Sequence, residues 1–104
     1  MEYEIYKTLV ASTAHITELD NAELEVDTDT NTLPDLIVYR YGEYGYTIWI
    51  PTEGSFTAQS WHNILTRYSV QLRQLLDIAK QKGCKYLRVD CDGPIYDNLP
   101  TFQW

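Results

Sequence analysis

Between Tyr3 and Ala11 apolar and polar positions alternate, with Tyr3, Ile5 and Leu9 on one parity and Tyr6, Thr8 and Val10 on the other. That period of two predicts a strand covered in part on both faces. Ser12-Thr13-Ala14-His15 breaks the alternation. Thr17 then stands where a helix N-cap is wanted, and Glu18 and Asp20 fall in the first turn, where the helix dipole favours negative charge. The helix is expected from Glu18 to Glu25, on a thin apolar set of Leu19, Ala22 and Leu24.

The stretch from Asp27 to Pro34 is polar and rich in turn formers, and reads as a linker. The plainest signal in the chain comes next. Two β-rich runs, Leu36–Tyr41 and Tyr46–Ile50, flank Gly42-Glu43-Tyr44-Gly45, a short gap whose terminal glycines can take the positive φ of a hairpin. Pro51 stops the second run. Residues 52–68 give no decisive period, although Ser60–Leu65 is compatible with a helical turn. Ser69 then caps the best helix in the sequence. Leu72, Leu75, Leu76 and Ala79 form one apolar stripe, Lys80 and Lys82 occupy the last turn, and Gly83 ends it. Cys84–Asp90 alternates again, with Leu87 and Val89 facing a core and Tyr86 and Arg88 facing away. The tail from Cys91 carries Gly93, Pro94 and Pro100 and is irregular. Its Ile95, Tyr96, Leu99, Phe102 and Trp104 are too apolar for solvent and are expected to pack back on the domain.

The order β-α-β-β-α-β is that of the split βαβ, or ferredoxin-like, α+β fold: a four-stranded antiparallel sheet with two helices on one face. In that order the first and fourth strands are antiparallel neighbours, so His15 and Asp90 are expected at opposite ends of the sheet. A related α+β sandwich, with the aromatic tail over part of the second face, is the alternative. At 104 residues the chain is the length of one domain, 1–104, with a single core.

Charge narrows the function classes. Fifteen acidic residues against eight basic ones give a formal net charge of −7. Such a field repels phosphates, so neither direct nucleic-acid binding nor attachment to an anionic membrane is expected, whereas a basic protein surface is attracted. The acid is concentrated: Glu18, Asp20, Glu23, Glu25, Asp27 and Asp29 place six carboxylates in twelve residues, with no Lys or Arg between Lys7 and Arg40. On a helix they recur about every 3–4 Å of axis, the same order as the roughly 1.7 Å charge spacing of duplex DNA. A solvated helix face and loop is the plainer explanation of the run. Nine tyrosines and three tryptophans are the other unusual feature. Tyr39, Tyr41 and Trp49 would share one sheet face, either as a partner-binding platform or as a face covered by packing.

Catalytic motifs are sparse. Asp90-Cys91-Asp92-Gly93 follows the last strand, and Asp90 and Asp92 could hold a divalent cation, though an ordinary turn explains them too. Asp27-x-Asp29-x-Asn31 imitates the start of a calcium loop but has Thr32 and Val38 where glycine and glutamate are required. His15, His62, Cys84 and Cys91 match no zinc or nucleophile pattern, and the chain has no phosphate-binding glycine loop. No cofactor is called for. Extended chain would hold the two cysteines roughly 23 Å apart, far beyond the ~7 Å limit for a disulfide, so two free thiols are expected. The start, Met1-Glu2-Tyr3-Glu4, has no signal-peptide character, and no stretch is long enough to span a bilayer. A cytoplasmic location in a bacterial host is the expectation.

Four phrases together carry a resemblance: Ser12-Thr13-Ala14-His15-Ile16, Tyr44-Gly45-Tyr46-Thr47-Ile48-Trp49-Ile50-Pro51, Asp90-Cys91-Asp92-Gly93-Pro94 and Leu99-Pro100-Thr101-Phe102-Gln103-Trp104. They resemble a family of short, uncharacterised proteins carried by bacterial plasmids, phages and conjugative elements, often near antirestriction functions. The resemblance implies a setting and assigns no residue a role. In that setting the acidic run suggests an inhibitor of a host defence nuclease, an anti-CRISPR protein being one form. It would enter a basic nucleic-acid channel or block complex assembly through Glu18–Asp29 and the aromatic platform. Two alternatives stand beside it: a small metal-dependent nuclease or hydrolase using Asp90 and Asp92, with His15 if topology allows, and a regulatory partner of another mobile-element protein. The oligomeric state is open.

Overall fold

A computed structural model describes residues 2–29, 36–43, 45–50 and 58–104, without the side chains of residues 58–61 and 65. Four strands and three helices follow in the order β1 (Thr8–Ser12), α1 (Glu18–Asp29), β2 (Val38–Arg40), β3 (Gly45–Trp49), α2 (Ala58–Arg67), α3 (Val70–Gln81) and β4 (Tyr86–Asp90), with one 3-10 turn at Thr13–His15. The sheet order is β1-β4-β3-β2. β2 and β3 are antiparallel, as are β3 and β4, but β1 runs parallel to β4 with Ser12 opposite Asp90.

This α+β sheet is therefore mixed, and the purely antiparallel arrangement expected from the element order is corrected. The extra helix α2 accounts for the reversal: the chain crosses the domain once more between β3 and β4, so β4 arrives pointing the same way as β1. The correction has a functional consequence. The ends of β1 and β4 lie side by side, and His15 and Asp90 belong to the same end of the sheet, not to opposite ones.

The core lies between one face of the sheet and the helices. Ala11, Val38, Tyr46, Ile48, Leu87 and Val89 from the strands meet Leu24, Ile64, Leu72, Leu75, Leu76 and Ala79 from the helices. The stripe expected on α3 is thus the one that is buried, and Ser69 caps that helix by accepting the Leu72 N–H. β1 is shorter than its alternation suggests. Residues 2–7 form no strand, although the Lys7 carbonyl accepts the Lys85 N–H at 2.9 Å. The β2–β3 hairpin forms as expected, and only the first of its glycines uses positive φ (Gly42, +65°). Gly45 serves close approach instead: a Cβ there would lie 2.8 Å from the carbonyl oxygens of Tyr41 and Val89. The expected linker beyond Asp29, Tyr44 in the hairpin loop, the stop at Pro51 and the segment up to residue 57 lie outside the described residues.

The aromatic tail packs back on the domain. Phe102 donates its N–H to the Ala14 carbonyl at 2.7 Å, and the Trp104 indole N–H bonds the Ile16 carbonyl at 3.0 Å. The Tyr96 hydroxyl bonds the Val10 carbonyl. Cys84 and Cys91 are free thiols. Among the described residues no helix is long and apolar enough to cross a membrane.

Candidate functional site at the acidic end of the sheet

The acidic run on α1 is mostly turned into the protein. Thr17 and Asp20 form a reciprocal cap: the Thr17 hydroxyl accepts the Asp20 N–H at 3.0 Å, and Asp20 Oδ2 accepts the Thr17 N–H at 3.1 Å. Asp20 is fully buried and also accepts the Ser69 N–H and hydroxyl at 2.8 and 2.5 Å. One carboxylate therefore meets the N-termini of both α1 and α3, where the helix dipoles favour its charge. One turn on, Glu23 meets the Arg67 guanidinium at 2.6 Å. Asp27, also buried, pairs with Arg67 at 3.0 Å and accepts the Tyr68 hydroxyl at 2.5 Å. Burial foremost, and then Asp27, pushes the Tyr68 hydroxyl pKa up. Positions 20, 23, 24 and 27 lie on one helical face, so α1 docks by a polar seam around Leu24. That seam explains why a helix so poor in apolar residues holds, and why it runs on to Asp29 instead of ending near Glu25.

Glu25 and Asp29 lie to the side of this seam. Arg40 of β2 pairs with Glu25 at 2.5 Å and with Asp29 at 3.5 Å. Glu25 also accepts the Tyr46 hydroxyl at 2.7 Å. The Tyr46 bond, and then Arg40, hold the Glu25 carboxyl below its usual range, while burial and then Glu25 push Tyr46 up to about 12. Of the six candidate carboxylates only Glu18 is exposed with no ion-pair or hydrogen-bond partner among the described residues.

His15 is now near the end of β4, but both of its nitrogens are spent. Nδ1 donates to the Pro100 carbonyl at 2.8 Å, and Nε2 accepts the Tyr96 N–H at 2.8 Å, which fixes the Nδ1–H tautomer. The ring is buried and stacks on Tyr96. It pins the tail and offers no lone pair to a metal or substrate.

Asp90, Cys91 and Asp92 each bring one ligand-type atom within 4.8 Å of the others. They form a turn in which Asp90 Oδ1 accepts the Asp92 N–H at 3.2 Å and the Asp90 carbonyl accepts the Gly93 N–H at 2.9 Å. Gly93 lies so close to β1 that a Cβ would be 2.6 Å from the Ala11 oxygen. The turn is thus tied to the edge strand and holds both aspartates at the sheet end. Partial desolvation of its sulfur foremost, and then the charges of Asp92 and Asp90, raise the Cys91 thiol pKa.

Beside this turn opens a cleft of about 720 Å³ lined by Glu25 and Asn21 of α1, Tyr46 of β3, Glu43 of the hairpin loop, and Phe102 and Trp104 of the tail. Glu43 is exposed and unpaired among the described residues. No local motif marks these six residues; only the apolar character of the tail hinted that Phe102 and Trp104 would return to the domain.

Tyr39, Tyr41 and Trp49 do share the sheet face opposite the helices. The register sets out rows across that face: Tyr86 beside Trp49, then Arg88 beside Thr47 and Tyr39, then Asp90 beside Gly45. Tyr39 and Tyr41 are 54% and 42% exposed. Arg88 lies 4.2 Å over the Tyr41 ring, and Lys85 lies 3.8 Å over Tyr6. The aromatic platform therefore carries cations, and it is a different surface from the acidic cleft. The structure does not merge the candidate acids and aromatics into one patch.

Fold and site define the class: a small two-layer α+β domain with an acidic, aromatic-walled cleft at one end of its sheet. Residues 8–104 match the C-terminal domain of DUF5983, a family of unknown function, and the chain belongs to that family. No curated protein and no solved structure matches it.

Proposed function

We propose that this domain is a protein-binding module that engages a basic surface of its partner with the acidic end of the sheet. The observation carrying this reading is the sorting of the carboxylates. The acids of α1 are largely consumed inside the domain, whereas Glu43, Asp90 and Asp92 have no ion-pair partner among the described residues and gather where β1 and β4 end. In the mobile-element setting suggested by the resemblance, the partner is a host defence nuclease, and the domain is an acidic inhibitor working in the bacterial cytoplasm. Restriction and CRISPR effectors carry basic nucleic-acid channels, which supply the complementary charge.

The test uses a purified effector nuclease as the probe, with binding measured at low and high salt. Each exposed ion pair contributes roughly 0.2–1 kcal/mol, so Glu43→Gln, Asp90→Asn and Asp92→Asn combined should weaken binding about tenfold. Asp77→Asn, a charge change on the exposed side of α3, should leave it unaltered. Binding that ignores salt and survives the triple variant would overturn the reading.

A further inference from the structure

We propose that the cleft is a recognition site for an arginine side chain presented by a peptide segment of the partner. This inference rests on the proposed reading of the acidic end and says what that end recognises. The lining combines two chemistries. Glu25 and Glu43 supply carboxylates, and Tyr46, Phe102 and Trp104 supply aromatic surface. A guanidinium satisfies both, because its planar fork pairs with carboxylates while its faces and methylene stem lie on rings; an ammonium is a compact, strongly hydrated charge that gains less from the rings. The domain already shows the match once. Arg40 binds Glu25 from the β2 side, and Tyr46 bonds the other oxygen of the same carboxylate. Glu25 is thereby fixed, and a carboxylate keeps acceptor capacity beyond two bonds.

Glu43, exposed and unpaired among the described residues, is the second acceptor. Trp104 is 52% exposed although its indole N–H is anchored on the Ile16 carbonyl. That leaves a ring held in place with an open surface, which lowers the entropy lost on binding. The Asp90-Cys91-Asp92 turn lies beside the cleft, which Cys91 lines, so the carboxylates of Asp90 and Asp92 add negative charge close to it. At about 720 Å³ the cleft has room for an arginine side chain together with the peptide backbone that presents it.

Amide and indole NMR signals of the full chain would be followed while capped Gly-Arg-Gly, Gly-Lys-Gly and Gly-citrulline-Gly peptides are added. The arginine peptide should shift the Trp104 indole N–H and the Glu43 and Gln103 amides, with the lysine peptide at least threefold weaker and the neutral citrulline peptide silent. Glu43→Gln, at a residue with no structural bond among those described, should weaken the arginine response severalfold; Trp104→Ala, checked for an unchanged fold by its remaining spectrum, should erase the preference over lysine. Equal responses to arginine and lysine, or shifts confined to other surfaces, would overturn the inference. The two readings fail separately. Salt-sensitive nuclease binding that is unchanged in Trp104→Ala and Glu43→Gln sinks the arginine site alone. A saturable arginine response with no nuclease bound sinks the proposed function alone.

Discussion

The carboxylates of α1 and those at the end of the sheet have the same chemistry and opposite fates. Asp20, Glu23 and Asp27 point across a helix–helix seam and find Ser69, Arg67 and Tyr68. Asp90 ends β4, and Glu43 and Asp92 sit on turns beyond strand ends, where no cation among the described residues reaches any of the three. Acidic density along a sequence is therefore a poor guide to acidic surface. A helix face repeats every three to four residues, so a dense run places part of its charge inward, where it must be paired. Short turns after strands keep their side chains in solvent.

The sharpest way to break this contrast is Asp20→Ala. It strands the Ser69 N–H, the Ser69 hydroxyl and the Thr17 N–H at two helix N-termini. The cost should be about 3 kcal/mol, less than the sum of those bonds at roughly 1.5–3 each, because removing the buried carboxylate also removes its desolvation penalty. A urea midpoint measures it. Arg67→Met leaves Asp27 buried beside Tyr68 without its cation; a loss of about 2–3 kcal/mol is expected, somewhat below the roughly 3–5 of a fully buried pair because Arg67 keeps part of its side chain in solvent. Gly93→Ala forces a Cβ onto the Ala11 carbonyl and should cost about 2 kcal/mol, in the overpacking range, while displacing the Asp90–Asp92 turn on which the proposed partner binding relies.

Smaller effects follow with pH. The folded Glu25 carboxyl lies below its ordinary value, so its contribution to stability is present above the unfolded carboxylate pKa, about 4.3, and is lost as pH falls through the folded value. Glu25→Gln should flatten that acid-side loss in urea midpoints taken across the range. Tyr46 works in the opposite sense: with its pKa raised to about 12, stability falls as pH rises from about 10 towards that value, and Tyr46→Phe should reduce the fall. The smallest effect on stability is expected for Asp90→Asn with Asp92→Asn. A change within about 0.5 kcal/mol, typical of surface sites, would confirm that the sheet-end acids are dispensable to the fold even where they matter to binding.

Local pattern determined a good deal. The hairpin of Val38–Arg40 with Gly45–Trp49, the Thr17 and Ser69 caps, the buried stripe of Leu72, Leu75, Leu76 and Ala79, and the inward Leu87 and Val89 all follow from spacing and from the chemistry of a few residues. Helix α2 escaped although Trp61, Ile64, Leu65 and Tyr68 recur at helical spacing, because no single cap or turn residue fixes its start. The true length of α1 escaped because its inward residues are acids that require Arg67 as a partner and its last turn is held from the side by Arg40. Strand direction was decided only in three dimensions. Whether β4 lies parallel to β1 depends on how many times the chain crosses the domain between β3 and β4, and no residue of either strand records that number.

The site followed the same division. The sequence by itself determined that the chain is acidic, that its tail must return to the domain, and that Asp90 and Asp92 stand at the end of a strand. Only the tertiary structure decided which carboxylates remain available, that His15 is spent on Pro100 and Tyr96, and that Glu25, Glu43, Tyr46, Phe102 and Trp104 close around one cleft. Composition sets how much charge a chain carries, but pairing depends on distance, and distances between residues far apart in sequence are set by packing.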